Sequence, residues 1–159
     1  MPPVRARALT PQEELAWRAL TYVSTHLIKT LGEDLAVESP ISLSEYVVLV
    51  HLSESDTGHL RIGDLATNST LSPSRMSRLV DDMANKGLLT KNRVPNDRRA
   101  TTAALTPLGR QTLRATYPTQ LRNVRRRVFD VLTPDDVDAL SSVLGKIRVS
   151  LEQRESPLP

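Results

Sequence analysis

The chain contains no cysteine in its 159 residues, which excludes disulfides, thiolate–metal sites and cysteine redox switches. It has no apolar run of membrane-spanning length and no signal-peptide pattern at its N-terminus, so the expectation is a soluble, cytoplasmic protein. Its six glycines are scattered and build no phosphate-cradling loop, which argues against nucleotide chemistry. No nucleophile–base pairing and no carboxylate pair in a plausible cleft can be traced, so neither enzyme activity nor a cofactor is expected. His26, His51 and His59 do not share a metal-ligand spacing on one helix, and no metal is expected. There is no internal repeat and no low-complexity segment. The length suits one domain with a proper core, or a small domain joined to an assembly module.

Charge is unevenly spread. Residues 1–71 carry five basic and nine acidic side chains, a balance of −4, whereas residues 72–99 carry seven and three, a balance of +4. Residues 100–159 carry nine and six, and no acid falls between Gly109 and Phe129. A basic middle segment attracts phosphates and makes affinity salt-dependent, although a solvated charged face has the same composition.

Helix starts are legible. Thr10-Pro11-Gln12-Glu13 and Ser42-Leu43-Ser44-Glu45 place a hydroxyl at the N-cap and an acid three residues on, the capping-box arrangement. Ser72-Pro73, Thr106-Pro107 and Thr133-Pro134 repeat a cap followed by proline at the first helical position. With a further start near Arg61, these signals predict six helices, at about 11–36, 43–54, 61–67, 73–86, 107–130 and 134–152. Pro118 should kink or split the fifth of these, which then carries Arg122, Arg125, Arg126 and Arg127. Residues 1–9 and 153–159 read as frayed tails.

The first helix has an apolar face of Trp17, Leu20, Leu27, Ile28, Leu31 and Leu35, interrupted by Ser24, and a narrower second stripe of Leu15, Tyr22 and His26. The last repeats Val137, Leu140, Leu144, Ile147 and Leu151, the alternation of helix–helix seams. Helices at both ends therefore need partners, and a two-fold dimer interlocking them is one economical solution.

Residues 60–106 hold the densest pattern. A short helix and a polar turn precede the helix at 73–86, where Met76, Leu79, Val80 and Met83 make a core stripe. Its opposite arc carries Ser74, Arg75, Ser77, Arg78, Asp81 and Asp82. Serine and arginine are residues that contact phosphates and base edges, and an N-cap at Ser72 leaves amides free at that end. Asn85-Lys86-Gly87-Leu88 is a stop signal, with Gly87 suited to the left-handed position. Strands are expected at Leu89–Val94 and Ala100–Leu105, joined by Pro95-Asn96-Asp97 turn chemistry that puts Arg98 and Arg99 at the tip. One tip arginine can enter a minor groove while the other is tied to Asp97; two solvated arginines are the plainer reading.

SPSRMSRLVDDMANKGLLTK followed by NDRRATTAALTPLG resembles the MarR family (multiple antibiotic resistance regulators) of bacterial transcription regulators. The wing signature of that family corresponds here to Asp97, Arg99, Leu105, Thr106 and Gly109. The helix order also fits, so the resemblance covers nearly the whole chain. It implies a mainly α fold with a small β-hairpin wing: a winged helix-turn-helix with a helical dimerisation module. The segments would be a dimerisation helix at 1–36, a DNA-binding lobe at 37–106 and C-terminal dimerisation helices at 107–159.

By the same resemblance, the protein would be a homodimeric repressor on short pseudo-palindromic operators in double-stranded DNA. Ser72, Ser74, Arg75, Ser77 and Arg78 would face the major groove, Arg98 would probe the minor groove, and Arg99 would pair with Asp97. A small phenolic or other aromatic inducer would release it from a pocket bordered by the first, second and fifth helices. The polar or aromatic candidates taken from those elements are Trp17, Tyr22, His26, Tyr46 and His51. Oxidant sensing through cysteine, used by one branch of the family, is excluded by composition. The alternative is a winged-helix protein-interaction module without sequence-specific DNA binding, which would more often carry apolar residues on the exposed arc.

Overall fold

A computed structural model of the chain describes residues 7–69, 71–94 and 97–153, and for residues 94 and 97–100 it describes the backbone only. In chain order the elements are α1 (Pro11–Glu38), α2 (Leu43–Glu54), β1 (His59–Arg61), α3 (Ile62–Asn68), α4 (Pro73–Asn85), β2 (Leu89–Val94), β3 (Asp97–Leu105), α5 (Pro107–Arg127), a 3-10 turn (Phe129–Val131) and α6 (Pro134–Glu152).

Local chemistry sets the helix starts. Thr10, Ser42 and Thr133 each accept from the amide three residues on, and the carboxylates of Glu13, Glu45 and Asp136 reach back to the cap amide. These reciprocal bonds satisfy donors that a helix end otherwise leaves open. Among the described residues two glycines have positive φ, Gly58 at 70° and Gly87 at 73°. Gly87 ends α4 in a Schellman motif: Leu88 N donates to Met83 O at 3.0 Å and Gly87 N to Ala84 O at 2.9 Å.

Three features depart from expectation. Of the kink or split expected at Pro118 the split does not occur, since α5 runs through it as one helix. A proline removes one backbone donor, and the turns on either side keep theirs. The helix instead ends at Arg127, ahead of the 3-10 turn. The three-residue strand β1, too short to show a period, forms beside β3. Finally, β3 starts at Asp97 rather than Ala100, because Val94 pairs with Asp97 across a register shift at Arg93/Val94. The backbone of Asp97, Arg98 and Arg99 therefore belongs to the strand and not to the tip of the turn. The sheet order is β1-β3-β2, antiparallel throughout.

The chain divides into two compact units, residues 1–120 and 121–159. The first has a core of Ile41, Val48, Leu49 and Leu52 around α2, Leu65 and Ala66 of α3, Met76, Val80 and Met83 of α4, then Leu88, Leu89 and Ala103. Both methionines are thus packing residues. In α1, Leu31 and Leu35 are buried, while Trp17 is 59% exposed and Tyr22 and Ile28 are similarly open. The second unit holds the end of α5, the 3-10 turn and α6; no residue of α6 is buried, and Leu144 on its apolar stripe is 42% exposed. No single helix among the described residues is long and apolar enough to cross a membrane.

Candidate nucleic-acid interface

Helix α4 is strongly two-sided. Its inner stripe of Met76, Val80 and Met83 is completely buried, so the rotation of the helix about its axis is fixed. That rotation exposes Ser74, Arg75, Arg78, Asp81 and Asp82 and leaves Ser77 half-buried. At the N-terminus, Ser72 Oγ accepts from Arg75 N at 3.4 Å and lies 3.3 Å from Ser74 Oγ. Two serine hydroxyls and the helix's first amides thus sit at one end, where the helix dipole favours an anion.

Pairing sorts the surrounding cations by availability. Lys91 of β2 forms an ion pair with Asp81, tying the hairpin to α4 and neutralising one of the two acids on the outer arc. Lys86 is engaged by Glu45 at 2.6 Å. Arg75, Arg78 and the exposed Arg93 of β2 have no ion pair among the described residues. Arg93 was not among the residues expected at this surface; it stands exposed on the edge strand β2. The side chains of Asp97, Arg98 and Arg99 lie outside the described residues, so the wing pairing expected of them has no geometry here.

A second feature is a cleft of about 350 Å³ between α2 and α5. Tyr46, Val50 and Glu54 line it from α2, and Leu113, Arg114 and Tyr117 from α5. The spacing places each set along one helix face. Burial pushes the Tyr46 phenol above its ordinary value, and the neighbouring Tyr117 and Glu54 add to the effect. Of the five sequence-expected ligand residues, Tyr46 lies on this lining. His51 is half-buried elsewhere on α2. Trp17, Tyr22 and His26 lie exposed on α1, where the His26 ring stacks on Tyr22 at 4.1 Å and its Nδ1 lies 2.9 Å from Tyr22 O. Arg114, Tyr117 and Glu54 escaped the sequence reading, since only the packed geometry shows which faces of α2 and α5 oppose. No group of three or more His, Asp or Glu residues placed to hold a metal occurs among the described residues.

A short helix, a short connection, an outward-facing second helix and a three-stranded antiparallel sheet define a winged helix-turn-helix protein. The sequence profile of the MarR family matches residues 41–101, the stretch that contains α2 through the first half of β3. Two solved structures from Streptomyces coelicolor are similar over almost the whole chain. AbsC, a MarR family transcriptional regulator, is 35% identical with a TM-score of 0.80, covering 93% of this chain and 99% of its own. Sco3205, a MarR family transcriptional regulator solved in complex with DNA, is 31% identical with a TM-score of 0.83, covering 97% of both chains. The transcriptional repressor MprA of Escherichia coli K12 is 23% identical over 144 residues, 91% of this chain and 81% of its own. The chain belongs to the MarR family of transcriptional regulators.

Proposed function

We propose that the protein is a cytoplasmic, homodimeric repressor that binds a pseudo-palindromic site in double-stranded DNA and is released by a small aromatic ligand. The observation that carries DNA binding is the outward presentation of Arg75 and Arg78, without an ion pair among the described residues, on a helix whose opposite stripe is locked in the core. Sco3205, 31% identical over 97% of both chains, was solved in complex with DNA, which supports DNA binding by this chain. Residues 37–106 would be the DNA-binding lobe. Ser72, Ser74, Ser77 and Arg93 would join the two arginines in and beside the major groove, with Arg98 reaching the minor groove.

Residues 1–36 and 107–159 would build the dimer. The open apolar faces of α1 and α6 support this, since apolar stripes of that length are costly in water. Two-fold symmetry would then set half-sites about 10 bp apart, or a multiple of that. The cleft between α2 and α5 suits the ligand: its volume falls within the usual small-molecule range, and Tyr46, Tyr117 and Arg114 offer ring faces and a cation to an aromatic anion. A protein-interaction role for α4 is disfavoured by the serine, arginine and aspartate content of its exposed arc.

Selection of bound duplexes from a random pool, with gel filtration and light scattering on the free protein, tests this reading. A recovered inverted repeat and a dimeric mass are expected. Recovery of no preferred sequence, or a monomer at micromolar concentration, would overturn it.

A further inference from the structure

Recognition by base contacts requires side chains held to within about 0.5 Å of their working positions. The buried stripe fixes the rotation of α4, but its tilt is also set by what grips its ends. At the C-terminal end two elements converge on three consecutive residues. From α2, Glu45 is only 5% exposed, and its carboxylate Oε1 accepts from Lys86 Nζ at 2.6 Å. Its other oxygen is occupied by the Ser42 amide at 2.7 Å and the Ser42 hydroxyl at 2.9 Å. From the start of α5, the Thr106 hydroxyl donates to Gly87 O at 2.7 Å, and Thr106 N donates to Leu88 O at 3.2 Å. Gly109 lets that first turn lie directly against the Leu88 backbone.

We propose that Glu45 is a positioning residue for DNA recognition: its buried carboxylate, anchored by Ser42 and gripping Lys86, sets the tilt of α4 against the clamp that Thr106 and Gly109 apply to Gly87 and Leu88. Lys86 thereby serves the alignment of the helix and not the phosphate backbone. The leverage is large. Arg75 lies roughly 16 Å along α4 from Lys86, so a 5° swing about the C-terminal end displaces it by about 1.4 Å, enough to break a bidentate base contact. The same two helices line the cleft, with Tyr46 adjacent to Glu45 and Leu113 one turn beyond Gly109. A molecule that separates α2 from α5 would therefore act on both grips at once.

The inference rests on the DNA-binding reading, and its test separates the two. Affinity is measured for the full-length protein on a pool-selected duplex and on a scrambled duplex of equal composition. The proteins compared are the wild type, Glu45→Gln, Glu45→Gln/Lys86→Met and Lys86→Arg. Gln keeps an oxygen for the Ser42 cap, and Arg keeps the pair. Glu45→Gln is expected to lower the selected-to-scrambled ratio about tenfold, the order of coupling energies between contacting residues. Adding Lys86→Met should lower it no further, Lys86→Arg should retain it, and affinity for the scrambled duplex should change less than about twofold, since phosphate contacts carry no sequence information. If Glu45→Gln fails to fold, Lys86→Met alone is expected to show the same selective loss. An unchanged ratio, equal losses on both duplexes, or a further loss on adding Lys86→Met overturns the positioning role. A wild type that prefers no duplex overturns the DNA-binding reading and this inference together.

Discussion

Gly109→Ala is a single-methyl perturbation at the joint between α5 and the end of α4. A β-carbon at Gly109 would overlap the Leu88 carbonyl oxygen outright, lie 3.0 Å from the Leu88 carbonyl carbon and lie 3.3 Å from Leu105 Cδ2. The first two obstacles are backbone and cannot rotate away, so α5 must lift off the loop after α4. Lifting breaks the bond from Thr106 N to Leu88 O and weakens those from the Thr106 hydroxyl to Gly87 O and Leu88 O. Each lost bond costs about 0.5–1.5 kcal/mol net, and overpacking a tight site costs about 1–3 kcal/mol. A loss of roughly 2–4 kcal/mol follows, or about 5–15 °C in Tm for a chain of this size. Differential scanning calorimetry at one fixed protein concentration measures it, because association shifts apparent stability. Gly145→Ala is the control: none of the described residues lies within 4 Å of its added carbon, and it sits inside α6. There the helix preference of alanine should raise stability by about 0.5–1 kcal/mol. A Gly109→Ala Tm within 1 °C of the wild type, with Gly145→Ala behaving as stated, would refute the close-contact reasoning.

Other consequences follow from the same structure. Ser72→Ala removes the hydroxyl that caps α4 and should cost about 1 kcal/mol in urea unfolding, with a parallel loss of DNA affinity. Gln120 is 6% exposed and its Oε1 has no hydrogen-bond partner among the described residues, so Gln120→Met should raise stability by about 1 kcal/mol in the same assay. Burial pushes the Glu45 carboxyl up, but the Lys86 side chain and the Ser42 amide and hydroxyl outweigh it and hold the group below the ordinary value of 4.5. Its contribution to stability is therefore complete above that value and is lost as pH falls through the lower folded-state value. Melting temperatures taken downward from pH 6 should fall less steeply for Glu45→Gln than for the wild type. Trp17→Asp together with Leu144→Asp, both on open apolar faces, should convert a dimer to monomers in analytical ultracentrifugation without unfolding residues 37–106.

Much of the fold was readable because five of the six helices announce themselves with a hydroxyl cap, α3 alone starting without one. The capping boxes at Thr10, Ser42 and Thr133 act within four residues of sequence, so they survive translation into structure with little dependence on the rest of the chain. The inward stripe of α4 was legible for a related reason: Met76, Val80 and Met83 repeat with the period of the helix itself. What stayed hidden depends on distant partners. Strand β1 is three residues whose status as a strand comes from β3, more than forty positions away. The early start of β3 comes from the register shift beside Arg93. The Glu45–Lys86 pair joins residues 41 positions apart, and within the sequence Glu45 looks only like the acid of a capping box. The cleft residues Arg114 and Tyr117 gain meaning only when α5 lies opposite Tyr46 and Glu54.

The central claim is that Arg75 and Arg78 read DNA from the exposed arc of α4. Its most direct test is a salt titration of affinity for the pool-selected duplex, comparing the wild type with Arg75→Ala/Arg78→Ala at matched dimer concentration. Base contacts of this kind are worth about 1–3 kcal/mol each, and phosphate contacts steepen the salt slope by about one per contact. The expected result is a loss of at least about tenfold on the selected duplex, with a smaller loss on scrambled DNA and unchanged dimerisation. Equal affinity of the double variant and the wild type for the selected duplex, at every salt concentration, would contradict the account.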